Sequence, residues 1–392
     1  MRIGFGISKL REPEAALQEA FRSSLKAMQS TTADFCLVFY SYDHGLDLAS
    51  LGSVFRKVFR QIPHLGSSTW GAFGDREGFE AETGMVVASF KDLPATPYFL
   101  KVHSLREKAE VWAAEIARQM GDRLRESTKN SDFVFLIADS LNFVPGMGLS
   151  FLEKHFPQTQ MTGFGTSFSV PQSSVVCCGE VYTNAMVGVG LEGVQTWLGL
   201  AQNIRPELQS ISINRMSENL IIEVDEKPAF YKLCEHLMTI DDLPMMSPDD
   251  FRKHMGNLYL VERPKPSGAT RIRAFGEAYR AIPLLGSEMT TGMVAVGQGL
   301  DFSCDHFLGQ KKPQYLENDL RISLEKMRAE NANSSFLLLL CASNHWRDRD
   351  RTTSDMEIVR EIFPNTPLLG VATNGEYVGL VNQFATVVVA FP

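Results

Sequence analysis

At 392 residues the chain is long enough for two or more domains with ample core, and its 44% hydrophobic and 21% charged content is that of a soluble globular protein. A net charge of −8 with no Lys/Arg-rich run excludes a dedicated nucleic-acid surface, and no apolar window approaches the roughly 18 residues of a membrane span. Six cysteines do not make a disulfide framework in so long a chain, and Met1 to Gly6 runs into Lys9, Arg11 and Glu12 without a secretory signal, so the expectation is a cytoplasmic protein with reduced thiols.

In chain order, Ile3 to Ser8 reads as a short strand. A helix follows from Pro13, with Ala16, Leu17, Ala20, Phe21, Leu25 and Met28 on one face. Phe35 to Tyr40 is a continuous apolar run, as expected of a strand covered on both sides. Leu48 to Phe59 is a second amphipathic helix ending before Pro63, Gly66 to Gly78 a loop, and Gly84 to Phe90 a strand. The pattern restarts with strand Tyr98 to His103, helix Glu107 to Leu124, buried strand Phe133 to Ala138 and a short helix around Leu149 to His155. Val175 to Gly179 and Ala185 to Val189 read as a hairpin across Tyr182-Thr183-Asn184. Residues 196 to 290 break the rhythm, and Glu262 to Ser267, with Pro264 and Pro266, reads as an exposed linker. A third copy is expected from Thr291: strand Met293 to Gly297, helix Leu316 to Arg328, strand Phe336 to Cys341, helix Thr353 to Ile362 and closing strand Ala385 to Phe391.

Three junctions tie these copies together. Phe363-Pro364 leads to Gly370 and Thr373-Asn374-Gly375-Glu376, and Phe156-Pro157 leads at the same spacing to Gly163, Thr166 and Ser167. Ile62-Pro63 leads more loosely to Gly66, Ser67, Ser68, Thr69 and Gly71. The prolines stop the preceding helix, and Asn and Gly are turn residues that tolerate positive φ. The fold expected is mixed α/β: parallel and antiparallel sheets flanked by helices, built from pseudo-repeated β-α-β-α-β-loop-β units of about 95 residues in two lobes, 1–200 and 201–392.

The segment Glu223-Val224-Asp225-Glu226-Lys227-Pro228-Ala229, with the Gly66 to Gly71 and Gly370 to Glu376 loops, resembles the FIST (F-box and intracellular signal transduction) family over nearly the whole chain. The family's E-I-D-G-x-P-A has Glu226 here in place of Gly. Its first loop, G-C-[ST]-[ST]-x-G-E, reads Gly66-Ser67-Ser68-Thr69-Trp70-Gly71-Ala72, without the Cys and the acid, whereas Gly375-Glu376 is kept. The resemblance implies a sensory module that binds small molecules such as amino acids or their derivatives.

Small hydroxyl residues on turns after buried strands present N–H and O–H groups together, which suits a carboxylate or phosphate and singles out Ser68, Thr69, Thr166, Ser167, Thr373, Asn374 and Glu376. The alternative is that these residues only satisfy tight turns. A second group follows the central strands: Asp43-His44, Ser140 to Asn142, and Ser343-Asn344-His345-Trp346-Arg347. There Asn344, His345 and Arg347 could pair with an acidic ligand, or merely form a solvated helix entry. Arg347 and Glu376 together suit a zwitterion. No HxxxH or CxxC pair marks a metal site. Cys177-Cys178 reads as strand core, and Gly188-Val189-Gly190-Leu191-Glu192-Gly193 as a strand exit rather than a dinucleotide loop. The expectation is a non-enzymatic, cytoplasmic sensor without cofactor or metal, binding a small polar metabolite between two lobes and acting through a separate output protein. The alternatives are an enzyme with Glu376 or His345 as general base, and an interaction scaffold with a vestigial pocket.

Overall fold

The computed structural model describes residues 1–41, 47–75, 77–106, 108–126, 132–140, 146–156, 159–166, 173–240, 258–263, 274–275, 279–288, 290–297, 300, 302, 304–331, 333–342, 354–378, 380–382 and 385–392. The chain opens with β1 (Arg2–Ser8), α1 (Pro13–Ala27), β2 (Phe35–Tyr40), α2 (Leu48–Phe59), β3 (His64–Ser68), a hairpin of β4 (Gly71–Gly74) and β5 (Glu77–Glu80), and β6 (Met85–Lys91). Pro13 starts α1 where a missing N–H costs nothing, and Glu12 accepts the amides of Glu14 and Ala15. A second series runs β7 (Pro97–His103), α3 (Ala109–Glu126), β8 (Asp132–Ala138), α4 (Gly146–His155), β9 (Gln160–Gly165), β10 (Val175–Cys177), β11 (Glu180–Tyr182) and β12 (Ala185–Glu192), leading into β13 (Trp197–Gln202).

Residues 204–311 then leave the series and build a sheet of their own. It contains β14 (Ile204–Ile211), β15 (Ile213–Ser217), β16 (Leu220–Val224), β17 (Lys227–Pro228), β18 (Leu258–Arg263), β20 (Arg280–Glu288), β21 (Met293–Val296) and β22 (Asp305–Lys311). The short β19 (Ala274–Phe275) pairs instead with β13. Helix α5 (Ala229–Ile240) buries Ala229, Phe230 and Leu233 against Ile221, Leu260, Ile282 and Val294 of this sheet. The series resumes with α6 (Pro313–Glu330), β23 (Phe336–Ala342), α7 (Asp355–Ile362), β24 (Leu368–Thr373), the hairpin β25 (Glu376–Val378) and β26 (Leu380–Asn382), and β27 (Ala385–Phe391).

Three sheets share one strand order: β1-β6-β2-β3-β10-β11, β7-β12-β8-β9-β25-β26 and β13-β27-β23-β24-β4-β5. Each has a central parallel pair, β2/β3, β8/β9 or β23/β24, with Gly66 opposite Val38, Gly163 opposite Leu136 and Gly370 opposite Leu339, and the third sheet adds β19 parallel to β13 at its edge. The hairpins are exchanged in a ring. The first series lends β4–β5 to the third sheet, the second lends β10–β11 to the first, and the third lends β25–β26 to the second. The register demands glycine at the parallel pairs: a Cβ on Gly66 would stand 1.7 Å from the Val38 carbonyl oxygen, and one on Gly163 1.9 Å from that of Leu136.

The inner faces of the three sheets share one apolar core, in which Phe39 meets Phe164 (centroids 6.1 Å), Phe90 meets Phe336 (5.3 Å) and Phe133 meets Phe391 (5.1 Å). The helices cover the outer faces, α1 and α2 over the first sheet, α3 and α4 over the second, α6 and α7 over the third.

Several local expectations differ from this structure. The third series begins at β13, not at Thr291; Met293–Val296 belongs to the inserted sheet, because an isolated short apolar run carries no mark of which sheet it joins. Residue 200, where the sequence reading divides two lobes, lies inside β13. The 66–78 stretch is mostly strand rather than loop, since its polar residues pair in β3, β4 and β5. The turn after β10 is Cys178-Gly179 (φ 49° and 82°), so Cys178 is exposed while only Cys177 is core. Gly188 and Gly190 lie within β12, paired on both sides, which excludes a phosphate loop there. Glu262 sits in β18, buried beside Arg280, and not in a linker; residues 264–270 lie outside the described residues.

Candidate functional site

The parallel pairs end together. Thr69, Thr166 and Thr373 each stand three places beyond the glycine of their pair, and all three are buried. The amide of Thr69 donates to the Tyr40 carbonyl and that of Thr166 to the Ala138 carbonyl, both at 2.9 Å, so each extends its parallel ladder by one step. Strand alternation then turns their side chains to the inner, shared side of the sheets. The Thr69 hydroxyl crosses to the third series and donates to the Ala372 carbonyl at 2.7 Å. The amide of Asn374 donates to the Gly165 carbonyl at 2.8 Å, and that of Gly165 to the Gly375 carbonyl at 3.0 Å. Ser68 is bound to Ser174, whose amide donates to the Ser68 hydroxyl at 2.9 Å, while the Ser140 amide donates to the Thr166 hydroxyl at 3.1 Å. Strand ends from all three series therefore close on one another.

Glu376 stands among them, wholly buried. It lies opposite Phe164; the matching hairpin positions are Ala72, opposite Val371, and Val175, opposite Ser67. Two of the three equivalent places are apolar and the third is a carboxyl. Its Oε1 accepts the Thr373 hydroxyl, while Oε2 has no partner among the described residues. Burial pushes this carboxyl up to about 8, the Thr373 hydroxyl and nearby amides oppose the rise, and the charge of Asp355 adds to it. At neutral pH it is predominantly protonated.

A second polar layer lies on the helix side of the third sheet, whose strand β24 supplies Thr373. Asp355, in the first turn of α7 beneath a Ser354–Glu357 capping box, accepts the Thr386 hydroxyl at 2.5 Å and the Cys341 thiol at 3.1 Å. Burial, and then the Asp355 charge, pushes the Cys341 thiol well above its usual range, so it is inert as a nucleophile. In the ladders, Cys341 pairs with Thr386 where Tyr40 pairs with Met85 and Ala138 with Met186. Asp139, one residue past β8, is also buried, receiving the Ser173 hydroxyl and, at 2.6 Å, the Asn184 amide. The Tyr377 phenol is pushed far up by burial and by the neighbouring Glu376 and Asp139 carboxyls. The surroundings of Glu376 are thus acidic and rich in hydroxyls. They accept hydrogen bonds more readily than they give them, which favours a ligand that brings donors.

Of the residues singled out from sequence, Ser68, Thr69, Thr166, Thr373, Asn374 and Glu376 are brought together here. Ser167, Asn344, His345 and Arg347 lie outside the described residues, as do Asp43, His44 and Asn142. Sequence reasoning missed Asp139, Asp355, Ser173 and Ser174. The polar residue that ends the Phe133 run and the Ser-Asp-Met-Glu capping box were the available signals. Among the described residues, no three of His, Cys, Asp and Glu cluster as metal ligands. None of the helices there is long and apolar enough to cross a membrane.

The family model for the FIST N domain matches residues 34–227, which takes in the first series from β2 onward, the second series and both glycine-threonine strand ends they contribute. The chain belongs to the FIST family. FIST domains are sensory domains of signal transduction. Two relatives from Mycobacterium tuberculosis, both described as uncharacterized proteins, one from strain H37Rv and one from strain CDC 1551 / Oshkosh, are similar to this FIST protein along nearly its full length. Each is 21% identical over 389 residues, covering 96% of this chain and 94% of the relative.

Proposed function

We propose that this FIST protein senses a small polar metabolite carrying an ammonium group, an amino acid or close derivative, at the joined strand ends around Glu376. The observation that carries the reading is the buried carboxyl whose Oε2 has no hydrogen-bond partner among the described residues, in a position where the two equivalent hairpins hold Ala72 and Val175. A carboxyl group placed in a core without its full set of partners costs stability and calls for a compensating role. An ammonium brought to Oε2 would ionise it, converting a neutral acid into a charged pair with Thr373 and Asn374 at hand for the rest of the ligand. The occupied site would tighten strand ends from three series at once, and a separate output protein would read that change.

Calorimetry against amino acids and simple amines tests this, with wild type, Glu376→Gln and Thr373→Ala. The charged pair should be worth roughly 2–5 kcal/mol, so Glu376→Gln should weaken binding by that much. Ionisation on binding should release a proton near pH 7, making the measured enthalpy depend on the buffer. Affinity unchanged in both variants would place the site elsewhere, and consumption of the ligand would replace a sensor by an enzyme.

A further inference from the structure

The inserted segment leaves and rejoins the three-sheet body side by side, with the Lys312 amide donating to the Asn203 carbonyl at 2.6 Å. Asn203 is wholly buried, and neither its side-chain oxygen nor its nitrogen has a partner among the described residues. Beside this root lies a cavity of about 200 Å³, walled by β13 and α6 of the body and by Arg205 and Tyr279 of the insertion. Arg205 crosses the gap: its guanidinium donates to Asp319 of α6 and lies over the Tyr315 ring, 5.0 Å from the centroid. That pairing takes up the charge of Asp319 but leaves the buried Arg205 Nε without a partner among the described residues. Lys326, farther along α6, lines the same cavity and has no ion-pair partner among the described residues.

The Gln202 side-chain amide donates to the Tyr279 carbonyl at 2.9 Å, and the Ser323 hydroxyl accepts the Leu200 amide at 2.9 Å while donating to the Phe275 carbonyl. Facing the cavity without a partner among the described residues are the Lys326 cation and the Arg205 Nε–H, beside an apolar flank that includes Ile322, 42% exposed. Donors with a net positive charge call for an oxyanion, and the apolar flank calls for a carbon body attached to it. We propose that this cavity is a second small-molecule site, taking a small organic carboxylate whose anionic end meets Lys326 and Arg205. Because body and insertion each supply a wall, the occupant ties the two together at the insertion's root. This site does not depend on the reading of Glu376.

The test is calorimetric titration of the full chain with sodium butyrate and sodium succinate, beside inorganic phosphate and sodium chloride, on wild type, Lys326→Ala, Ile322→Trp and Glu376→Gln. Lys326 and Ile322 are exposed, so circular dichroism should show the first two variants folded. One of the carboxylates should bind saturably, Lys326→Ala should weaken it about tenfold, Ile322→Trp should block it, and Glu376→Gln should leave it unchanged. No saturable carboxylate binding, equal binding of bare phosphate, or binding indifferent to both cavity variants would each overturn the proposal.

Discussion

Replacing Glu376 by Gln should change how stability depends on pH, and the size follows from the structure. The carboxyl titrates near 8 in the folded chain against an ordinary value of 4.5, because it is wholly buried. Between those values the unfolded chain has lost the proton and the folded chain has kept it. The native state therefore binds more protons, and stability falls as pH rises through that window. At about 1.4 kcal/mol per pH unit, the penalty is below about 1 kcal/mol at pH 5, about 3 kcal/mol at pH 7 and roughly 4–5 kcal/mol by pH 8.5. Glutamine cannot ionise, so the variant should escape this slope, keeping only a pH-independent offset for the amide it introduces. Urea unfolding of both proteins at pH 5, 7 and 8.5 measures it: the stability of the variant relative to wild type should climb by roughly 3–4 kcal/mol across that range. Parallel stability curves would mean that Glu376 is ionised and partnered in the native protein, and the neutral-acid reasoning would be wrong.

Two further outcomes probe the frame that holds the site. Gly163→Ala puts a methyl group 1.9 Å from the Leu136 carbonyl oxygen inside a parallel ladder, and should cost upward of about 3 kcal/mol in chemical denaturation, whereas alanine at Gly121, which faces open space, should be nearly neutral. Phe336→Ala removes a ring that touches Phe5, Phe90 and Phe391 where the sheets meet, and should cost about 3–5 kcal/mol in one cooperative transition. A separate early transition would show instead that the sheets unfold independently.

Much of the frame was legible because its signals are local. The apolar runs at Phe35, Phe133 and Phe336 are strands, with prolines and glycines where helices stop and parallel strands approach. The exchange of hairpins was not legible. Which edge accepts Gly71–Gly74 or Glu376–Val378 is decided by pairing between distant segments, and nothing in either tetrad or triad names its partner. The strand Trp197–Gln202 was passed over for the same reason, since its companions lie beyond a long insertion. At the site, Thr69, Thr166, Thr373 and Glu376 were visible as turn-like polar residues, but their burial was not. A glutamate beside a glycine in a turn reads as solvated until three strand ends are seen to close over it. Asp139 and Asp355 escaped because a strand terminus and a helix start are ordinary places for an exposed aspartate, and only packing removes these two from water.

The asymmetry among the three series locates what the fold does. Position by position, the first two use Ala72, Val175, Met85 and Met186 where the third uses Glu376 and Thr386, and Tyr40 and Ala138 where it uses Cys341. A protein that needed only a core would fill those places alike, since a buried carboxyl without its full complement of partners lowers stability by several kcal/mol. The first two series and the shared aromatic core supply the stability that lets the third carry a polar layer on both faces of its sheet. The same series also carries the inserted sheet, and β26, the strand that follows Glu376 in its hairpin, packs against β20 of that insertion. The residue just before β20 is Tyr279, a wall of the cavity at the insertion's root. Strand packing thus places the hairpin of the buried carboxyl against the strand that starts at the joint of the insertion, so the third series carries the polar site and the insertion on adjoining strands.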